Sequence, residues 1–252
     1  MKSIGIIPAR YASTRFPGKP LIDLAGKTMI QRVYERAAAA PTLDAVVVAT
    51  DDQRIYDHVL SFGGQVKMTR PEHQTGTDRC AEVSQHFPDY DLVLNIQGDE
   101  PFLSYEQMEL VLAPLRAGEA EIATLALAVG SLEELLNPNI VKLAIDQKNR
   151  ALYFSRSVIP YLRNAPQEKW LDTTVFYRHI GLYGFVRDTL LQITQLPMGH
   201  LEQLEMLEQL RWLENGHSIA VRYTDRPIVG IDTPEDLEKA LTYIRKQEGA
   251  LG

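Results

Sequence analysis

The stretch "IIPARYASTRFPGKPL" (residues 6–21) decides how the rest of this chain is read. Ile4 to Ile7 form an apolar run suited to a buried strand, after which a helix should follow. Instead the chain spends about a dozen residues on Pro8, Arg10, Arg15, Pro17, Gly18, Lys19 and Pro20. Connections in compact α/β units usually run about 2–6 residues, and ordering a longer one costs backbone entropy. A loop braced by prolines and studded with cations suits a ligand that must be wrapped.

Two familiar phosphate motifs do not fit it. Gly18–Lys19 has the end of a P-loop, but Pro20 replaces its Ser or Thr and Ser13 its first glycine. No G-x-G-x-x-G is present for a dinucleotide. Two readings stay open: a solvated basic surface, or a brace that presents Arg10, Arg15, Lys19 and nearby backbone amides to phosphates. The charge distribution bears on the choice. The chain carries −7 overall, yet residues 1–36 carry +5 and the remainder −12. A basic loop on an acidic chain suits a small polyanion and argues against a general nucleic-acid binder.

Outward from the loop, apolar periodicity alternates between strand and helix. It predicts strands over 4–7, 45–49, 65–68 and 92–96, and helices over 28–39, 53–62, about 77–86 and 104–115. Strands that are apolar throughout, each followed by a helix, indicate a parallel sheet covered on both faces. Near residue 120 the pattern changes. Strands are predicted over 121–129, then a hairpin in "VKLAIDQKNRALYFS", then a strand in "HIGLYGFV". One helix is predicted over 201–214, with Glu202, Glu205 and Gln209 in a polar strip roughly 60° wide. That strip either faces solvent or lines a site. Strands over 218–223 and 228–232 precede a last helix, with Thr233 as cap, Pro234 in the first turn and Glu235 and Asp236 beside the positive helix end. The expected organisation is one chain-long α/β domain. Its nucleotide-binding core covers about 1–119 and 201–252, and a smaller mixed-sheet part covers about 120–200.

The totals agree with a globular enzyme-sized chain. It has 252 residues, 45% hydrophobic and 23% charged, enough to bury roughly 70–75% of its unfolded surface without a metal or disulfide staple. A single cysteine, Cys80, excludes an intramolecular disulfide and suits a reducing compartment; its expected role is packing. No apolar run approaches the ~18–20 residues needed to span a bilayer, and the N-terminus reads as a strand. Cytoplasmic location without membrane insertion is the expectation.

Ligands of open α/β sheets bind at the carboxyl ends of the strands. Three polar segments follow apolar strands directly: the opening loop, "ATDD" (49–52) and "QGDEP" (97–101). In the third, Gly98 allows close backbone approach and Asp99 stands just past a strand. "VGIDTP" repeats the design with Asp232. Mg²⁺ is commonly held by one or two carboxylates plus substrate phosphates, so Asp99 and Asp232 make a credible pair. The alternatives are a turn residue for Asp99 and a helix cap for Asp232. No His/Cys spacing supports zinc.

Together, "IPARYASTRFPGKPL", "TGTDR" (75–79), "NIQGDEP", "ALYFSRSVIP", "HIGLYGF", "LEMLEQLR" and "DTPEDL" resemble the 3-deoxy-D-manno-octulosonate (KDO) cytidylyltransferases, in order, from residue 4 to about 240. The opening segment alone is similar to sialic acid cytidylyltransferases too. The resemblance implies a Rossmann-like nucleotidyltransferase fold, a mostly parallel sheet flanked by helices with a smaller mixed-sheet subdomain. It further implies a Mg²⁺-dependent homodimer that joins CTP to KDO for lipopolysaccharide synthesis and releases pyrophosphate. Carried onto this sequence, Arg10, Lys19, Asp99 and Asp232 would serve catalysis, the two aspartates as Mg²⁺ ligands. Pro8, Ala9, Arg10, Ser13, Arg15, Lys19, Thr75, Gly76, Thr77, Arg79 and Gln97 would bind the nucleotide. Gln97, Arg156, His179, Tyr183, Glu205, Glu208 and Gln209 would face the sugar acid. Asp78 stands where Glu is expected, Phe16 where Leu is common, and residues 163–177 match poorly.

The residues suit that chemistry on their own terms. A carboxylate-bearing sugar needs a cation, and Arg156 directly after a strand can supply one, unless it is a surface ion pair. His179 and Tyr183, four apart, share a strand face that is either core or site. No side chain stands out as a general base. Competing readings are a cytidylyltransferase for 8-amino-KDO or a sialic acid, a nucleotide sensor, and a glycosyltransferase, for which "GDE" offers no D-x-D.

Overall fold

A computed structural model describes residues 1–12, 17–227, 230–231 and 234–249. The chain forms two compact units, Met1–Met108 with Ile228–Gly252, and Glu109–Pro227.

The first unit alternates strand and helix as the periodicity predicts. Its elements are β1 (Ser3–Ala9), α1 (Met29–Ala38), β2 (Ala45–Thr50), α2 (Gln53–Ser61), β3 (Val66–Met68), α3 (Gly76–Gln85), β4 (Leu92–Asn95) and the start of α4 (Tyr105–Arg116). All pairings here are parallel: β1 lies between β2 and β4, and β3 pairs with β2. Ile4, Ile6, Ile7, Val47, Val48, Leu92, Val93 and Leu94 are fully buried, so both faces of these strands are covered. Each such side chain contributes roughly 1.5–3 kcal/mol relative to exposure. Thr28 caps α1 by accepting from the Gln31 N–H at 3.3 Å, and Met29, Ile30, Val33 and Ala37 supply the helix's buried face. Cys80 is buried in α3, in keeping with a packing role.

The second unit is mixed. After α4 come β5 (Ile122–Ala128), α5 (Leu132–Leu136), β6 (Lys142–Ile145), β7 (Ala151–Ser155), α6 (Trp170–Thr173), β8 (Tyr177–Val186), α7 (Arg187–Ile193), α8 (His200–Glu205), α9 (Gln209–Glu214) and β9 (Ile219–Thr224). β5 is antiparallel to β8 and parallel to β9, and β6 and β7 form the expected hairpin. Residues 163–177 include α6, and Trp170 packs there with Val129, Leu135 and Phe176. The chain then returns to the first unit through α10 (Pro234–Gly249), whose Ala240 and Ile244 pack with Leu24, Met29 and Ile231.

Three points differ from the sequence expectation. The segment 201–227 belongs to the second unit by its contacts, not with the nucleotide-binding core. The single helix expected over 201–214 is two, because Met206 adopts a left-handed backbone (φ 54°, ψ 47°) between α8 and α9. Such a residue ends a helix, at about 1–2 kcal/mol for a side chain other than glycine. The short helices α5, α6 and α7 carried too few residues to show a helical period. Most of the strand expected over 228–232, and the cap at Thr233, lie outside the described residues.

Gly184 in β8 faces α4 closely: a Cβ there would lie 2.7 Å from Val111 Cγ1 and 3.0 Å from Leu115 Cδ1. Gly184→Ala should therefore destabilise the protein by about 1–3 kcal/mol through overpacking. Urea unfolding checks this, and an unchanged midpoint would contradict the packing described.

Candidate active site

At the carboxyl end of the parallel strands, the first unit gathers the polar segments that the sequence placed there. Gly98 is needed for this, since a Cβ on it would lie 3.0 Å from the Pro8 carbonyl oxygen. The close approach brings the "QGDE" turn against the end of β1. Gly18, with φ 72°, turns the opening loop back, and its N–H donates to the Tyr11 carbonyl at 3.0 Å. Lys19 follows at once, and its Nζ donates to Asp99 Oδ2 at 2.6 Å. The loop cation and the strand-end carboxylate are thus paired with each other. Asp99's own carbonyl accepts the Ile231 N–H at 3.1 Å, so the residue preceding Asp232 is tied to it. Ser13, Arg15 and Asp232 themselves lie outside the described residues.

Thr75, Gly76 and Thr77 open α3. Thr75 Oγ1 accepts from the Asp78 N–H at 3.1 Å and the Asp78 carboxylate accepts from the Thr75 N–H at 3.0 Å. This capping box explains how Asp78 serves where Glu was expected. Gly76 lies against Pro8, with room of only 3.1 Å between a Cβ and Pro8 Cγ. Arg10 donates to the His73 carbonyl just upstream. Burial and the neighbouring Arg79 lower its pKa, with Asp51 and Asp78 opposing. Ala9 is buried at the end of β1, while Gln97 is half-buried after β4. Arg79, grouped with the nucleotide residues in the sequence reading, is fully buried: Nη2 bonds Asp51 Oδ2 at 2.8 Å and Nη1 bonds Thr69 Oγ1. It braces the site from beneath.

The second unit builds a separate polar cluster on β5, β7, β8 and the α8–α9 break. Four residues along a regular strand span about 13 Å. Yet the His179 and Tyr183 rings lie only 5.2 Å apart between centroids. The cause is a bulge: Thr124 pairs with Tyr183 while the next residue, Leu125, pairs with Ile180. Thr124 Oγ1 holds it, within 3.1 Å of the Ile180 carbonyl, 2.9 Å of the Leu182 carbonyl and 3.0 Å of His179 Nε2. With the hydroxyl proton given to a carbonyl, His179 Nε2–H is the donor to Oγ1. Tyr183 Oη is buried and finds no hydrogen-bond partner among the described residues. Burial, and secondarily the Glu208 charge, raise its pKa against a smaller opposing effect of the Thr124 side chain, so it remains a phenol.

Arg156 takes up the carbonyls exposed where α8 ends. Its Nε donates to Glu205 O at 2.7 Å, Nη2 to Met206 O at 3.4 Å and Nη1 to Pro138 O at 3.2 Å. The Glu205 carboxylate accepts from Ser155 Oγ at 2.6 Å and from the Arg156 N–H at 2.9 Å. Arg156 is therefore held by neutral oxygens, and no ion pair to its guanidinium occurs among the described residues. The expected polar strip does not persist as one face. Glu202 is buried against Arg211, Glu208 pairs with Arg211 Nη2 at 3.1 Å, and Gln209 is buried at the start of α9. Sequence reasoning missed Thr124, Ser155 and Lys142. Only Lys142, a lone cation opening an apolar strand, left a visible signal.

With this geometry established, comparison with known proteins is informative. A family profile described as Cytidylyltransferase matches residues 4–219. A protein of Parabacteroides distasonis, 3-deoxy-manno-octulosonate cytidylyltransferase, is 53% identical over 97% of this chain and 98% of its own length. The chain belongs to this cytidylyltransferase family. A second 3-deoxy-manno-octulosonate cytidylyltransferase, from Porphyromonas gingivalis, is 51% identical over 97% of each chain. Among solved structures, CMP:2-keto-3-deoxy-manno-octonic acid synthetase complexed with CTP is 42% identical with a TM-score of 0.90. That match covers 98% of this chain and all of the other. The mixed α/β fold of the cytidylyltransferase recurs in 4-diphosphocytidyl-2C-methyl-D-erythritol synthase of Anaerococcus prevotii. There the TM-score is 0.62 at 15% identity, over 97% of this chain and 99% of that one, so the likeness is one of fold.

The His179 ring is packed between Phe154 and Tyr183, and burial pushes its pKa down to about 3 from 6.5. The unfolded chain binds a proton there near pH 6.5 that the folded protein refuses. This contribution to stability is complete above pH 6.5 and is lost as pH falls toward 3. An NMR titration, with the His179 signal identified by its loss in His179→Gln, should show a neutral ring throughout pH 5–8. A midpoint near 6.5 would contradict the desolvated position of the ring.

Proposed function

We propose that this chain transfers CMP from CTP to the anomeric hydroxyl of KDO, giving CMP-KDO and pyrophosphate. The observation that carries the reading is the near-full-length likeness, at 42% identity, to a synthetase complexed with CTP. The site geometry supports it at the level of single groups. In the first unit, Arg10 and Lys19 are cations at the strand ends where a triphosphate is bound, and the Thr75–Thr77 turn and Gln97 face the cytidine. In the second unit, Arg156 is a guanidinium without a carboxylate partner among the described residues, suited to the carboxylate of the sugar acid. Tyr183 and His179 supply neutral polar groups for its hydroxyls.

The reaction needs positioning more than covalent help. The anomeric oxygen forms a bond to the α-phosphorus, the bond from that phosphorus to the β-phosphate bridge breaks, and pyrophosphate departs. The hydroxyl proton passes to solvent, and no side chain is assigned as a base. Arg10 and Lys19 stabilise charge that grows on the leaving group. Asp99 fits a hard cation: it is an oxygen donor at a strand end, half-buried, with the chain segment before Asp232 tied to its carbonyl. Asp99 and Asp232 would hold Mg²⁺ together with substrate phosphates. When bound, the ion supplies Lewis-acid stabilisation of the phosphoryl oxygens. With Asp99 holding the ion, Lys19 would serve the phosphates.

The assembly we assign is a homodimer. Leu152, Tyr161 and Val175 of the second unit are 62%, 75% and 58% exposed, a set of large apolar side chains that a second copy would cover. Among the described residues no helix is long and apolar enough to cross a membrane. A cytoplasmic location agrees with CTP as substrate and with delivery of the product to lipopolysaccharide assembly.

Pyrophosphate release from CTP and Mg²⁺, with KDO, 8-amino-KDO and a sialic acid offered separately, tests the function. Release with KDO is expected; silence with all three from folded, CTP-binding protein would overturn it. Asp99→Ala should lower kcat by roughly 10²–10⁴-fold while leaving the unfolding transition in place. Near-native turnover in that variant would remove Asp99 from the metal site. Sedimentation should give a mass twice that of one chain, and a monomer at micromolar concentration would exclude the dimer.

A further inference from the structure

Lys142 is a charged residue at the first position of β6, and it is completely buried. A buried ammonium is costly unless its donors are satisfied. Here all three can be: Nζ lies 3.0 Å from Asn137 O, 2.7 Å from Ile140 O and 2.6 Å from Arg156 O. Every one of these acceptors is a backbone carbonyl. Burial lowers the Lys142 pKa, with the Glu205 charge opposing and Arg156 reinforcing.

What Lys142 grips is informative. Two of its carbonyls flank Pro138, whose own carbonyl accepts Arg156 Nη1 at 3.2 Å. The third is the carbonyl of Arg156 itself. Lys142 thus fixes both the backbone of Arg156 and the turn that steadies the far end of its guanidinium. Across the hairpin Lys142 is in register with Ser155, which donates to Glu205 Oε1 at 2.6 Å. On the other side Lys142 pairs with Arg178, and the preceding Val141 carbonyl accepts the His179 N–H at 2.8 Å. Arg156 and His179 therefore meet the same short segment, 141–142, and Glu205 is joined to it through Ser155.

We propose that Lys142 is a positioning residue for the sugar-acid site, a buried tripod that clamps the 137–140 turn to Arg156 and so aims the guanidinium at the acceptor's carboxylate. The inference rests on the reading of Arg156 as the carboxylate-binding group. Lys142 does not touch substrate. Its effect passes through backbone atoms, so a side chain of equal length without the donors should leave the fold and lose the aim. A fork such as Arg156 depends on direction as well as charge.

The test is steady-state kinetics of Lys142→Met with each substrate varied, beside Arg156→Lys, both checked for a cooperative unfolding transition. For folded Lys142→Met, KM for KDO should rise about tenfold or more while KM for CTP stays within about twofold. A KDO KM unchanged in Lys142→Met but raised in Arg156→Lys overturns the positioning role and leaves the sugar site standing. An unchanged value in both removes Arg156 from the sugar site, and the proposal with it. Equal losses toward both substrates show a general structural role and overturn the proposal. If Lys142→Met does not fold, Lys142→Gln, which keeps a donor, takes its place. Failure of both to fold overturns the proposal as well.

Discussion

Parallel pairing of β1 with β2 on one side and β4 on the other is the constraint from which the nucleotide end follows. Parallel strands must all finish at the same edge, so the segments after Ala9, Thr50 and Asn95 have no choice but to meet. Gly98 then lets one backbone approach another, and Arg79 ties Asp51 and Thr69 beneath them. The long opening loop acquires its purpose here. Its end is turned by Gly18 and delivers Lys19 to the carboxylate of Asp99. A cation and an anion paired at a strand end neutralise each other, and in the function proposed above a triphosphate and its counter-ion would exchange for both.

The second unit solves a different problem, which is to hold charge without cancelling it. Arg156 is surrounded by carbonyl oxygens freed where Met206 breaks the helix, and Lys142 by carbonyls of a turn and of Arg156. Carbonyl dipoles stabilise a cation yet leave its net charge in place, whereas a carboxylate would remove it. The bulge at Thr124 works in parallel. It sacrifices regular pairing to bring the His179 and Tyr183 rings into contact at a tilt of 46°, and the phenol oxygen has no hydrogen-bond partner among the described residues. Local irregularity at Met206 and at the bulge is concentrated where the sugar reading places the ligand.

Much of this was legible in the sequence, and the reasons are physical. Strands buried on both faces need apolar residues at every position, which made β1, β2 and β4 plain. Gly98 and the helices beginning near Thr28 and Thr77 rest on short-range patterns, whereas the cap at Thr28 and the Thr75–Asp78 box were found only in the structure. The break at Met206 was hidden because leucines keep helical spacing straight through it, while the distant Arg156 donates to the carbonyls exposed at the break. The bulge was hidden for a similar reason, since Thr124 lies more than fifty residues from Ile180. Arg79 illustrates the limit of motif reading. It belongs to "TGTDR", yet the fold spends its guanidinium on Asp51 and Thr69. The resemblance named the family, and the geometry shows what each of these side chains touches.

In the proposed function, two cations serve two substrates: Lys19 the triphosphate, Arg156 the sugar carboxylate. The most direct measurement is KM for CTP and KM for KDO in Lys19→Met and Arg156→Met, side by side. The account predicts that Lys19→Met raises KM for CTP with little change for KDO, and that Arg156→Met does the reverse. Crossed effects, or equal effects of both variants on both substrates, would contradict it.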